Sequence, residues 1–198
     1  MRLNEHWEAI LVTLLFLTGV TLWTLPIRNN PSPYGEVDAS SHYAVADYTV
    51  KSDRSITNLP FYIDKRYGKD NDFKPHVLWY PPPIHTTYAI GGFLSGDTAK
   101  GIYLTNAILT LFILLSVYFL IRKLYGIPAA FFSSLLIIFS LRDIMIYLWG
   151  QWPERIGFAF LPLVLYCFYD YGEKDEHGAN KKHYLYLMAL LLAANFFI

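Results

Sequence analysis

Apolar runs near 20 residues long recur along this chain, and they constrain its fold more than any other feature. They read as Ala9–Ile27, Ile102–Ile121, Ile127–Trp149, Gly157–Tyr169 with its flanks, and a closing run from Tyr184 to Ile198. About 20 apolar residues in a helix rising 1.5 Å each cross a hydrocarbon layer of roughly 30 Å. The chain is 54% hydrophobic and 18% aromatic, more apolar surface than 198 residues bury in one water-soluble core. The expected fold class is therefore an all-α polytopic membrane protein with about five transmembrane helices and a large outer loop carrying interfacial helices. The last run is cut at Asn195-Phe196-Phe197-Ile198, so the sequence reads as the N-terminal part of a longer protein.

Three regions follow. Residues 1–27 give a cytoplasmic N-terminus and the first span, residues 28–100 an outer loop with an acidic motif, and residues 101–198 the second to fifth spans. The first span reads as a retained anchor, because Leu25-Pro26-Ile27-Arg28 lacks the small-x-small pattern of a cleaved signal. Arg122 and Lys123 in one short loop, and Lys174, Lys181 and Lys182 in another, place those loops inside by the positive-inside rule. The N-terminus then also lies inside, and the 28–100 loop and the turn around Gln151-Trp152-Pro153-Glu154-Arg155 face outward, as expected for the cytoplasmic membrane.

Several classes of function lack support. Sixteen basic and sixteen acidic residues give no net charge, and no basic stripe with interleaved aromatics appears, which argues against nucleic acid as a partner. Nucleotide-binding and zinc-hydrolase motifs are absent. The single cysteine, Cys167, lies in an apolar run and reads as packing.

The chemistry gathers at two places. Gly35-Glu36-Val37-Asp38-Ala39-Ser40-Ser41-His42-Tyr43 opens the outer loop with two carboxylates and a histidine beside the membrane. A helix is expected from Ser40 to Lys51, with Ser40 or Ser41 as its N-cap. If helical geometry begins at Asp38, Asp38 and His42 share one face and converge on one substrate group; if Asp38 only caps the helix, that chemistry disappears. Further along, Leu78-Trp79-Tyr80-Pro81-Pro82-Pro83 is expected to be an extended strap whose Trp79 and Tyr80 suit the headgroup layer, followed by a short interfacial helix over Ile84–Leu94. His76 and His85 flank the strap and read as ordinary hydrogen-bond partners.

The second place is the turn between the third and fourth spans. Arg142-Asp143 is expected at the outer edge of the third span, either as a mutual ion pair or as a binding group. In Trp149-Gly150-Gln151-Trp152-Pro153-Glu154-Arg155, Pro153 suits a first helical turn and Glu154 complements its positive end. The same turn brings a second carboxylate and a second arginine to the membrane face expected for Asp38. A carboxylate can deprotonate an acceptor, and a forked guanidinium can hold phosphate.

This layout resembles the GT-C superfamily of membrane glycosyltransferases. Val37-Asp38-Ala39 and Trp79-Tyr80-Pro81 are similar to motifs of archaeal-type oligosaccharyltransferase catalytic subunits. Asp38/His42, Gly150/Pro153/Glu154 and Leu161-Pro162-Leu163 resemble an uncharacterised prokaryotic branch, in which the apolar helix ends near the proline-leucine pair. The resemblance implies transfer of a sugar or glycan from a polyprenyl-phosphate-linked donor at the outer face, as in protein glycosylation. Asp38 would be the base, Glu36, His42 and Glu154 would assist it, Arg142 or Arg155 would hold donor phosphate, and Trp79 and Tyr80 would contact substrate. In the oligosaccharyltransferases an Asp two residues before the Glu completes a site for a divalent cation such as Mg2+ or Mn2+; here that position is Trp152. Asp38 and Glu154 alone offer few oxygen ligands, so no metal site is assigned. The competing reading is a non-catalytic polytopic protein, a transporter or an assembly subunit whose outer loop binds a partner. Charges confined to the span edges would favour surface chemistry over transport.

Overall fold

A computed structural model describes residues 3–29, 34–35, 38–52, 82–173 and 181–196. Nine helices and no strand occur among them: α1 (Leu3–Trp23), α2 (Leu25–Asn29), α3 (Asp38–Ser52), α4 (Pro82–Ser95), α5 (Thr98–Tyr125), α6 (Ile127–Ile138), α7 (Leu141–Trp149), α8 (Trp152–Gly172) and α9 (Lys182–Phe196). The all-helical expectation holds. Of these helices, α1 over His6–Trp23 and α5 are long and apolar enough to cross a membrane, and α6 with α7 makes a third if that bent pair is one span. The 21-residue α8 carries Glu154, Arg155 and Asp170, and α9 has only 15 residues.

The centre of the bundle is α5. Asp97 caps its N-terminus by accepting from the Lys100 amide at 3.1 Å, and Arg122 and Lys123 complement the negative end of the helix in its last turn. Gly126, at φ 86°, ends it, and Pro128 falls in the first turn of the next helix. Helices α1, α3, α4, α6 and α8 all pack on α5. Its junction with α4 depends on small residues: a Cβ on Gly91 would overlap the Thr105 hydroxyl, and one on Gly101 would overlap the Gly91 carbonyl. Outward-facing Leu14, Phe132, Leu136, Phe168 and Leu190 are more than half exposed, an apolar surface suited to lipid rather than water.

Three expectations change here. The run Ile127–Trp149 is not one continuous helix but two, bent by 44° at Phe139-Ser140. The break is satisfied locally: the Trp23 indole donates to the Ile138 carbonyl at 3.1 Å, and Ser140 accepts from the Asp143 amide at 3.3 Å to cap α7. The helix expected from Ser40 begins at Asp38, so Ser41 is a buried helical residue rather than a cap. Finally, α8 does not stop at Leu161-Pro162-Leu163 but continues to Gly172 with Pro162 inside it. The proline leaves the Phe158 carbonyl without its usual helical donor.

Candidate active site

The site is organised by the turn between α7 and α8. Gly150 takes the left-handed conformation at φ 89° and ψ 17°, and its amide donates to the Ile146 carbonyl, closing α7. A side chain there would overlap the backbone at Asp38 and Ala39, because the first turn of α3 lies directly on this glycine. Gly35, at φ 105°, is held as closely against the Leu148 carbonyl, 2.7 Å from where its Cβ would stand. Two segments more than 100 residues apart are thus in backbone contact, and the acidic motif is set on the second loop.

Beneath that contact lies a layer of buried aromatic and imidazole rings. Trp152 is fully buried, and its indole donates to the Tyr147 carbonyl at 2.7 Å, an oxygen in the last turn of α7. His42 stacks on Trp152 with centroids 5.6 Å apart and planes 27° apart. His42 Nδ1 lies 2.8 Å from His85 Nε2 across the α3–α4 junction, with the two residues 0% and 2% exposed. Tyr88 and Tyr103 set their edges against Trp152 at 5.6 and 5.5 Å. The Tyr34 ring stacks on Tyr103 at 4.3 Å, its amide accepted by the Tyr103 hydroxyl at 2.9 Å, while that hydroxyl donates to the Tyr34 carbonyl. The Tyr34 and Tyr147 hydroxyls are 3.0 Å apart. Burial pushes the Tyr34 phenol above its ordinary pKa, so it stays a neutral hydrogen-bonding group.

Beside this layer, between α5, α7 and α8, is a cavity of about 350 Å³. Its polar wall is Arg142, Asp143 and Arg155, and its apolar wall includes Ile113, Phe158, Leu161 and Pro162. Of the two alternatives for Arg142 and Asp143, the mutual ion pair does not form. Asp143 pairs instead with Arg155 at 2.8 Å, with side chains 13% and 8% exposed. Arg142 is exposed. The pair stands just past the α6–α7 bend, and the cavity reaches Ile113 near the middle of the 28-residue α5. The guanidinium of Arg155 also keeps one donor, Nε, buried without an acceptor.

The expected site residues therefore separate into groups. The fold brings Asp38, partly exposed, and His42 to the α7–α8 turn, with helical geometry starting at Asp38 so that the two share one face. Glu154 is exposed in the first turn of α8, one residue from buried Arg155 and so on another side of that helix. Glu36, Trp79 and Tyr80 lie outside the described residues. His85, read as an ordinary hydrogen-bond partner, is one; only the identity of its partner, 43 residues earlier, had no signal in the sequence. Among the described residues no three His, Cys, Asp or Glu side chains come together. Those residues do not supply the donor set that Mg2+ or Mn2+ requires.

Residues 80–198, more than half of the chain, match the family described as dolichyl-phosphate-mannose-protein mannosyltransferase. No curated protein and no solved structure matches the chain. That family is of the GT-C type, which agrees with the resemblance read from the motifs at the level of the superfamily. With its outward apolar helices, this makes the chain an integral membrane protein. The chain belongs to the dolichyl-phosphate-mannose-protein mannosyltransferase family of GT-C membrane glycosyltransferases.

Proposed function

We propose that this protein transfers a sugar, with mannose the first candidate from the family's description, out of a polyprenyl-phosphate-linked donor such as dolichyl-phosphate mannose. The observation that carries the reading is the backbone contact between Gly150 and Asp38-Ala39. It sets a partly exposed carboxylate beside the turn that leads to Glu154 and to the arginine-lined cavity.

In this reading Asp38 takes a proton from the acceptor as the acceptor atom bonds the sugar's anomeric carbon. The bond from that carbon to the lipid phosphate breaks, and the phosphate oxygen leaves with the electron pair. Arg142, exposed on the cavity wall, meets the phosphate, and Arg155 adds the unused Nε donor from below. The apolar wall fits the first isoprene units of the lipid. Lipid phosphate is a good leaving group, so the protein's work is orientation and charge stabilisation. His42 and Glu154 assist Asp38, as would Glu36, while Trp79 and Tyr80 contact substrate. We assign the transfer to the outer face of the cytoplasmic membrane, with the N-terminus inside, and count α8 and α9 with the three apolar spans to reach five. A protein acceptor, as in archaeal oligosaccharyltransferases, is the first to try.

The test is sugar transfer by the full-length protein in membranes, using tritiated polyprenyl-phosphate mannose and comparing wild type with Asp38→Asn. The variant keeps the shape and removes the charge, and is expected to lose about 100- to 10,000-fold in rate. Full activity in that variant would defeat the catalytic assignment. The Asp143–Arg155 pair favours a second reading, since a buried ion pair between helices of a membrane protein can also hold a transported solute. Uptake of a charged solute that survives Asp38→Asn and disappears in Asp143→Asn would establish that alternative.

A further inference from the structure

We propose that α4 stands upright in one leaflet of the membrane beside α5, with Ile90, Phe93 and Leu94 turned to lipid at the boundary between acyl chains and head groups. This holds whether or not Asp38 is catalytic. The three residues are 53%, 74% and 77% exposed and follow the i, i+3, i+4 spacing of one helical face. The opposite face belongs to the fold: Ile84, Tyr88 and Ala89 are buried in the core that α4 shares with α3 and α5. Only Gly96 and Asp97 separate α4 from α5, so the two form a helical hairpin. Its register fixes the direction of α4. The Tyr88 hydroxyl donates to Asn106 Oδ1 at 3.1 Å, a Cβ on Gly91 would stand 2.9 Å from Thr105 Cβ, and one on Gly92 would stand 3.3 Å from Thr98 Cγ2. Moving forward along α4 thus moves backward along α5. A helix lying flat on a membrane cannot run antiparallel to one that crosses it, and α5 is long and apolar enough to cross.

The level of α4 follows from α5, whose apolar run Ile102–Ile121 matches a hydrocarbon layer of roughly 30 Å. Ile102 then marks one edge of that layer. Thr98 lies about 6 Å beyond the edge at 1.5 Å per residue, where the Asp97–Lys100 ion pair, with side chains 37% and 48% exposed, meets head groups and water. Phe93 and Leu94 stand beside this end of α5. Ile90 lies one turn deeper, and Thr86 a second turn deeper, inside the run. The 14 residues of α4 are too few to cross, so it enters one leaflet only. Lipid is the partner that fits its outer face. Leu104 and Ile108 of α5, 40% and 41% exposed, look outward over the same levels, so the edge of α4 continues an apolar surface that already faces lipid. The Thr87 and Ser95 hydroxyls are closed on the backbone, donating to the Pro83 carbonyl at 2.9 Å and the Gly92 carbonyl at 3.1 Å, which spares the lipid an unpaired donor. The ring layer, whose Tyr103 is the second residue of the α5 run, then lies at the hydrocarbon boundary rather than above it.

The test measures depth. Thr86→Cys, Ile90→Cys and Leu94→Cys, all at exposed positions, are made singly in the full-length protein with Cys167→Ala and no other cysteine. Leu104→Cys and Lys100→Cys serve as the lipid and water references. Each variant is labelled with bimane in phosphatidylcholine liposomes, and quenching by bromine carried on the acyl chains is compared with quenching by aqueous iodide. The Thr86 and Ile90 labels are expected to be quenched by brominated lipid as strongly as the Leu104 label, and by iodide several-fold less than the Lys100 label, with Leu94 between. Lipids brominated at different chain positions should place the Thr86 label about 12 Å, and the Ile90 label about 6 Å, deeper than the Leu94 label. Equal depths at the three positions would show α4 lying flat on the surface. Iodide quenching at Ile90 as strong as at Lys100 would put the face in water, and quenching by neither agent would mean that protein covers it. Each of these results overturns the proposal. Any two of the three labels give the slope, so the loss of one variant to misfolding leaves the test decisive.

Discussion

The two ends of the bundle hold their polar groups in different ways. At the end where α1 starts and α5 finishes, charges meet in ion pairs whose cations reach solvent, Arg122 at 46% and Lys123 at 30% exposed, while Glu8 and Asp170 are at 13% and 3%. Glu8 receives the Tyr118 hydroxyl at 2.8 Å and both Nη2 and Nε of Arg122, while Lys123 bridges Asp170 and Glu173 at 2.9 Å each. At the other end the α7–α8 turn carries neutral rings packed out of solvent, with the carboxylates of Asp38 and Glu154 left toward the surface. A pair whose cation reaches solvent tolerates loss of its carboxylate because water replaces the missing partner; a ring layer has no water to take that place. The first end fastens helices together. The second fixes the position of specific atoms, which chemistry needs.

Three substitutions would break or sharpen this contrast. The largest effect is expected for Gly150→Ala, which meets both the left-handed backbone and the Asp38–Ala39 backbone. Destabilisation of about 4 kcal/mol or more, read as a fall in the unfolding midpoint in detergent, is expected together with lost sugar transfer. A variant of normal stability and activity would mean that α3 does not rest on this turn. Next comes Asp143→Leu, which strands the buried Arg155 guanidinium and should cost about 3–5 kcal/mol. Adding Arg155→Met should restore most of the stability without restoring activity, separating the fold's need for the pair from the reaction's need for the arginine. The smallest effect is expected at the other end: Glu8→Gln should change stability by about 1 kcal/mol or less and lessen its dependence on salt. A loss there as large as at Asp143 would erase the distinction between the two ends.

How much of this was legible in the sequence depends on the range of the interaction. The span α5 was readable because its signal is local, an apolar run with Asp97 before it and Arg122, Lys123 and Gly126 at its end. Pro153 announced the start of α8 for the same reason. The α6–α7 bend was not, since Phe139-Ser140 is no strong breaker and the Ile138 carbonyl is released there only because the Trp23 indole, 115 residues away, accommodates it. Hydropathy was the better guide at Pro162: the run Gly157–Tyr169 passes through it, as α8 does, whereas the resemblance implied an end there. Whether Arg142 and Asp143 pair with each other stayed open in the sequence, because the partner that Asp143 takes, Arg155, lies on α8. His85 was legible as a hydrogen-bond partner, but its partner His42, on another helix, was not.

By itself the sequence determined what each stretch does locally: which runs suit lipid, where helices begin and stop, and that carboxylates cluster in two short motifs. Those properties depend on neighbours a few residues apart, through hydropathy, capping and dihedral preference. Only the tertiary structure decided that the two motifs meet on Gly150, that Asp143 takes Arg155, and that His42 takes His85. Each of those contacts joins residues on different helices. Its formation depends on how α3, α4, α7 and α8 pack about α5, through close backbone approach at glycines and the cost of burying polar groups unpaired.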